Sequence, residues 1–185
     1  KGVPQEIPQE LIDKIYKERW EEVWFFPGYP EHKEVSGVRG FMGTDPVIFM
    51  AINPSFGTYP SKPDLFYYRN LKKHGFQNAH LTDLFKVKRR NVSVQDLLKN
   101  KELFDEAKEY LREEIKIVKP KLMVFVGKSY RKIYERAIAD LNLGHITTHY
   151  IPHYAPQFNN STKRKKFRKA LREIKKKYLM LHKKR

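Results

Sequence analysis

The sequence contains no cysteine. That excludes disulfides, thiolate nucleophiles, and zinc or iron–sulfur centres held by cysteine. Long apolar runs are missing as well: nothing approaches the ~20 residues of a membrane-spanning helix. The opening "KGVPQEIPQE" is polar where a secretory leader would be apolar. Acidic residues are scarce beside basic ones, 21 Asp+Glu against 38 Lys+Arg, a net charge of +17. We therefore expect a soluble intracellular protein, cytoplasmic or nucleoid-associated, with no membrane attachment and a polyanionic partner. There is no Walker lysine loop, no G-x-G-x-x-G and no nucleophilic serine with triad partners. His145, His149 and His153 recur at a four-residue interval, too far apart along a strand for one metal. No metal and no cofactor are expected.

What is present is enough for one domain: 185 residues, of which 40% are hydrophobic and 14% aromatic. Short apolar runs alternate with amphipathic segments. "PQELIDKIYKERWEEVW" has helical spacing, and "SGVRGFMG" reads as a short edge strand. "VIFMAI" is a buried strand, and "DLFYYRNLKKHG" a helix capped by Gly75. A strand in "NAHLTDLFKV" precedes helices in "SVQDLLKN" and "LFDEAKEYLREEIKIV", the latter stopped by Pro120. "KLMVFVG" is a strand, "SYRKIYERAIADLN" a helix ending near Gly144, and "HITTHYI" a strand. Phe167, Leu171, Ile174, Tyr178 and Leu181 then form the apolar stripe of a last helix. The pattern predicts an α/β fold: a three-layer αβα arrangement around a central, mainly parallel, four-stranded sheet, in a single domain over residues 1–185. Ligands of such sheets sit beyond the carboxyl ends of the strands. The loops beginning at Asn53, Asp83, Gly127 and Pro152 then face one cleft.

Three segments carry a family resemblance. "AINPSFG" resembles the first active-site motif of the uracil-DNA glycosylase superfamily, commonly Gly-(Ile/Met)-Asn-Pro-(Gly/Ser). "HYAPQF", beginning at His153, resembles the second, commonly His-Pro-Ser-Pro followed by a wedge residue. Between them, "KPKLMVFVGKSY" is similar to the superfamily's Pro-x-(hydrophobic strand)-Gly segment, and Phe66 follows Asn53 at the spacing of the phenylalanine on which a flipped base stacks. "FYYRNL" and "FVGK" look closest to the single-strand-selective branch. The motif-bearing part is roughly residues 47–170, within one uracil-DNA-glycosylase-like domain. The departures are Ala51 for the first glycine, and Tyr154 and Ala155 for proline and serine.

The resemblance implies a monofunctional DNA glycosylase that hydrolyses the N-glycosidic bond of a deaminated base, uracil or a relative such as hypoxanthine, in base-excision repair. Such cleavage develops cationic character on the sugar and negative charge on the departing base. On the resemblance, Asn53 holds the attacking water, His153 stabilises the leaving base, and Phe66 stacks on the flipped base. Ser55 stands where a bulky tyrosine excludes thymine in the best-known branch, so the pocket is expected to be broader. Two registers compete for the base reader: Asp83, at the strand end, and Asn78, within "NAHLT". Asp83 is favoured by position. An ionised aspartate presents acceptors only, which would repel a uracil carbonyl and welcome an amino group; alternatively Asp83 activates water.

Basic runs flank both motifs: "KVKRRN", with Lys88, Arg89 and Arg90, and "STKRKKFRK", with Lys163 and Arg164. Together with Lys128 and Ser129 they are candidates for phosphate contact on single- or double-stranded DNA, and Gln157 or Phe158 for filling the gap left by a flipped base. A monomer is expected. The altered residues leave two other readings open: a nucleic-acid-binding protein of the same fold with changed chemistry, and an RNA-processing protein using the same cleft.

Overall fold

The computed structural model describes residues 25–54, 60–86, 93–155 and 160–183. Four short apolar runs form one sheet, β1 (Val47–Ala51), β2 (His80–Asp83), β3 (Leu122–Val126) and β4 (Thr147–Ile151). All neighbours run parallel, in the order β2-β1-β3-β4. The first three strands are buried along their whole length, as a parallel sheet covered on both faces requires. Period-two alternation sorts their side chains. Ile48, Met50, Met123 and Phe125 face a layer formed by α3 (Lys101–Val118) and α4 (Arg131–Ile138). Val47, Phe49, Val124 and Val126 face α1 (Lys62–Lys73) and α5 (Ser161–Lys183). A short α2 (Val94–Lys99) precedes α3. This is the expected three-layer α/β architecture, with an all-parallel sheet.

Local chemistry accounts for the element ends. Ser61 and Ser93 each close a reciprocal capping box, with Asp64 and Asp96, at the starts of α1 and α2. Lys119 takes a left-handed conformation, φ 50°, directly before Pro120, ending α3. α1 ends at His74, with Gly75 at φ 81° just beyond it.

Two boundaries differ from the sequence expectation. "SGVRGFMG" is no edge strand: Gly37 and Gly40 have φ values of 94° and 63°, which break an extended run, and the segment forms a single 3-10 turn over Gly40–Met42. α4 is also shorter than "SYRKIYERAIADLN", because Lys128–Tyr130 forms a 3-10 turn and the helix ends at Ile138. The helix expected in "PQELIDKIYKERWEEVW" lies outside the described residues. Among the described residues no helix is long and apolar enough to cross a membrane.

Chain order places the switch point of the sheet between β1 and β3: β2 lies on one side of β1, and β3 and β4 on the other. The crevice beyond the carboxyl ends at such a reversal is the natural ligand site of an open parallel sheet. Tyr134 reinforces it from below, donating its hydroxyl to the Val126 carbonyl at 2.8 Å and to that of Met50 at 3.3 Å.

Candidate functional site

A cleft of about 410 Å³ opens at this switch point. Asn53 and Pro54 enter it from the end of β1, Asp83 from the end of β2, Ser129 and Tyr130 from the turn after β3, and His153 to Ala155 from the segment after β4. Ser61, Pro63 and Asp64, at the start of α1, and Phe26 complete the wall. Residues far apart in sequence converge because each parallel strand delivers its own C-terminal loop to the same edge.

Asn53 is half-buried, and its amide nitrogen donates to the Pro54 carbonyl at 3.3 Å. That leaves its amide oxygen, on a residue that lines the cleft, as an acceptor. His153 is fixed from two sides. Its Nδ1 accepts the Ala155 backbone N–H at 3.1 Å, and its ring stacks on Tyr154 with centroids 4.4 Å apart. Tyr154 in turn stacks nearly parallel on Tyr67 at 4.2 Å. The tyrosine that departs from the family motif is thus the support on which the histidine rests. With Nδ1 accepting, the proton of the neutral ring is on Nε2, which becomes a donor. Burial lowers the His153 pKa to about 4, so the ring is neutral at physiological pH.

Asp83 forms the floor of the cleft. It is 3% exposed, and its Oδ2 is buried without a hydrogen-bond partner. Desolvation raises its pKa to about 8, against the opposing pull of Lys86 and with a further push from Glu114 and Asp64. Near pH 7 the group is therefore mostly a carboxylic acid, with one donor and remaining acceptor capacity. This changes the expectation drawn from an ionised aspartate: a protonated carboxyl presents the same pairing of donor and acceptor as an asparagine amide.

The competing reader, Asn78, lies at the opposite end of β2. Its amide nitrogen donates to Thr44 Oγ1 at 2.9 Å and Asp45 Oδ1 at 3.1 Å, and its oxygen accepts the Thr44 N–H. It staples the loop before β1 and does not line the cleft. Phe66 is not at the cleft either. It is 2% exposed and packs on Phe167 of α5 at 5.4 Å, with the Arg168 guanidinium 5.7 Å over its ring. Its position on α1 turns it into the helical layer; among the described residues, the phenylalanine and tyrosine side chains at the cleft are Phe26, Tyr130 and Tyr154.

Of the candidates for phosphate contact, Ser129 lines the cleft. Lys128 borders a second hollow of about 400 Å³, shared with Arg131 and with Thr148 to Tyr150. Lys163 is exposed and Arg164 half-buried at the start of α5. Ser55, Lys88, Arg89, Arg90, Gln157 and Phe158 lie outside the described residues. Lys86, the first residue of "KVKRRN", is no surface cation: it is buried against Glu114. Sequence reasoning missed Asp64, whose signal was the Ser61-x-x-Asp64 box, and the wall residues Phe26 and Tyr130, which carried none. Among the described residues no three His, Asp or Glu side chains gather as for a metal.

Gly127 sets the spacing of the cleft wall. Its φ is 110°, and a Cβ there would lie 2.9 Å from Tyr130 Cδ2 and 3.8 Å from His153 Cβ. Gly127→Ala is expected to cost about 1–3 kcal/mol from the backbone conformation alone and to displace the Tyr130 ring. Thermal melting and the tyrosine ring resonances report both; an unchanged melting temperature would remove the conformational argument.

The sequence was compared with known proteins. The family model of the uracil DNA glycosylase superfamily matches residues 39–177, a span from the turn before β1 into α5 that contains the whole sheet. No individual curated protein matches the chain.

Proposed function

The chain belongs to the uracil DNA glycosylase superfamily, whose members are generally DNA glycosylases of base-excision repair, and on that basis we propose that it hydrolyses the N-glycosidic bond of uracil or a related deaminated base in DNA. The observation that carries the proposal is the convergence in one cleft of an amide oxygen, a buried carboxyl and a neutral imidazole donor. These are the groups such a reaction needs. A base flipped into the cleft meets Asp83 on its floor. In its acid form Asp83 offers a proton to a carbonyl and accepts from an N–H, the pattern of a uracil edge. The bond from the sugar to the base nitrogen breaks with its electron pair leaving on the base. His153 Nε2–H stabilises the charge that develops there. Water held by the Asn53 oxygen adds to the sugar carbon and releases its proton to solvent. No lysine lines the cleft among the described residues, which supports a monofunctional reaction without a Schiff-base intermediate.

The test is direct. Oligonucleotides carrying uracil, hypoxanthine, xanthine or a mismatch are incubated with the protein, single- and double-stranded, and treated with alkali. Cleavage at uracil is expected. No cleavage on any substrate, with DNA binding retained, would replace the glycosylase by a nucleic-acid-binding protein of the same fold.

The excess of 17 positive charges supports binding to the DNA backbone. The logarithm of the binding constant is then expected to fall linearly with that of the salt concentration, with a slope of about −0.9 per duplex phosphate contacted. Charge reversal at Arg89, Arg90, Lys163 and Arg164 is expected to flatten the slope. A slope unchanged in that variant would remove these residues from the interface.

A further inference from the structure

Directly behind Asp83, on the side away from the cleft, lies a buried charged cluster that the proposed reaction does not use. Lys86, 3% exposed, directs its ammonium at three oxygens: Thr82 Oγ1 at 2.8 Å, the Asp83 backbone carbonyl at 2.7 Å, and Glu114 Oε1 in an ion pair. The contacts with Thr82 and Asp83 are hydrogen bonds, and that with Glu114 is a close pairing of charges. Glu114 is fully buried on α3, and its second oxygen meets His80 Nε2 at 2.7 Å. His80 Nδ1 lies 2.8 Å from the Phe41 carbonyl. The cluster therefore runs from the turn before β1, through β2 and α3, to the backbone of Asp83 itself.

Such a cluster is costly to bury, and a hydrophobic set of similar volume would hold the layer at least as well. Burial pushes the Glu114 carboxyl up, but Lys86 and His80 outweigh it and hold it below its usual range. Glu114 is therefore an anion and its partner Lys86 a cation, side by side beneath a carboxyl that is itself nearly neutral.

We propose that Lys86 and Glu114 are positioning residues for Asp83: Lys86 ties the carboxyl end of β2 to α3, and the two opposite charges together set the electrostatic environment of the Asp83 carboxyl. The proposal rests on the reading of the cleft as a base pocket. Lys86 favours the ionised carboxyl, and Glu114 favours the acid. Among the described residues, the other charged or titratable groups facing Asp83 are Asp64, Tyr67 and Tyr68 on α1 and Tyr134 on α4; His153 shares the cleft, and His80 bears on it through Glu114. The three tyrosines are buried, with pKa values raised well above 10, so they stay neutral where Asp83 titrates. Burial likewise keeps His153 neutral there. Lys86 and Glu114 are thus the opposed charges behind the floor, and Asp64 adds to the push of Glu114 from the cleft side.

Carbon-13 NMR of the full chain, labelled at the aspartate carboxyl, tests this without any substrate. The Asp83 resonance is identified by its loss in Asp83→Asn. Lys86→Met is expected to move its titration midpoint up and Glu114→Gln to move it down, each by on the order of one pH unit. The double variant Lys86→Met/Glu114→Gln, which removes both charges together, is expected to fold and to titrate near the wild-type midpoint. Should Lys86→Met alone fail to fold, the Glu114→Gln shift and the return in the double variant carry the same information. A midpoint unmoved in Glu114→Gln, or moved in the same direction by both single changes, overturns the proposal. If the wild type releases no base from any oligonucleotide while the opposed shifts appear, the glycosylase reading fails and the positioning role stands. In an active enzyme, the alkaline limb of base release is expected to move in parallel with the NMR midpoint.

Discussion

Replacing His153 with alanine is expected to slow single-turnover release of the base by on the order of 10²-fold or more, the typical loss of one preorganised donor. The imidazole acts on charge that exists only as the bond breaks, so DNA affinity is expected to change little. Burial makes the effect large: a neutral donor held by Ala155 N–H and the Tyr154 ring needs no reorganisation when the charge appears. Asn53→Ala is expected to give a loss of similar size by freeing the water. Because the His153 pKa lies at about 4, the rate should show no histidine limb between pH 8 and pH 5. The same depression works against stability in acid. Between the unfolded value near 6.5 and about 4, falling pH protonates the unfolded chain first and favours it; below about 4 the loss is complete. Single-turnover rates of both variants, with affinities from fluorescence anisotropy, check the placement. Full activity in both would put the chemistry elsewhere.

The second large effect belongs to Asp83, whose two possible roles predict opposite pH dependence. If its acid form reads a carbonyl, uracil release falls about tenfold per pH unit above its midpoint at about 8. If its carboxylate activates water, release rises toward pH 8 and then levels. Asp83→Asn separates them again. The amide retains a donor and an acceptor, so in the reading role uracil release persists and the alkaline limb disappears; in the water-activating role every substrate slows alike. We expect the first pattern. Stability adds an independent check. The folded carboxyl holds its proton up to about pH 8, whereas the unfolded one releases it near 3.9. Its cost to the fold therefore starts near pH 4, grows with rising pH, and is complete above about 8. Asp83→Asn should raise the melting temperature at pH 7–9 and leave it unchanged below pH 4. A substitution in the cleft that stabilises the protein is the mark of a group kept at the expense of stability. An equal melting temperature at pH 8 would mean that Asp83 is not held in its acid form.

Much of the architecture was legible because it depends on local patterning. Continuous apolar runs such as "VIFMAI" and "KLMVFVG" have one stable use in a chain of this size, as strands covered on both faces. The stripe from Phe167 through Leu171 to Ile174 could only be the inner face of a helix. Once strands and helices alternate, a parallel sheet follows, and its carboxyl edge brings Asn53, Asp83 and His153 together. Even the buried carboxylate had a trace in the sequence: Glu114 falls in helical register with Leu103, Ala107, Tyr110 and Val118 on the apolar stripe of α3. An acid on such a stripe calls for a buried cation.

The sequence by itself therefore determined the sheet, its layers and the edge at which the site lies, since these follow from the periods of helix and strand and from the chirality of the chain. Tertiary structure alone decided which residues of the motifs face the cleft and in what chemical state. Phe66 shares the spacing of a stacking residue, yet the docking of Phe167 turns it inward. Asn78, in the turn before β2, and Asp83, at its carboxyl end, are five positions apart, and only the direction of β2 assigns one to the loop before β1 and the other to the cleft floor. Lys86 reads as part of a basic run until α3 places Glu114 against it. Protonation was still further from view. A carboxyl's charge depends on the water removed from around it and on charges brought near it from elsewhere in the chain, and both are properties of packing.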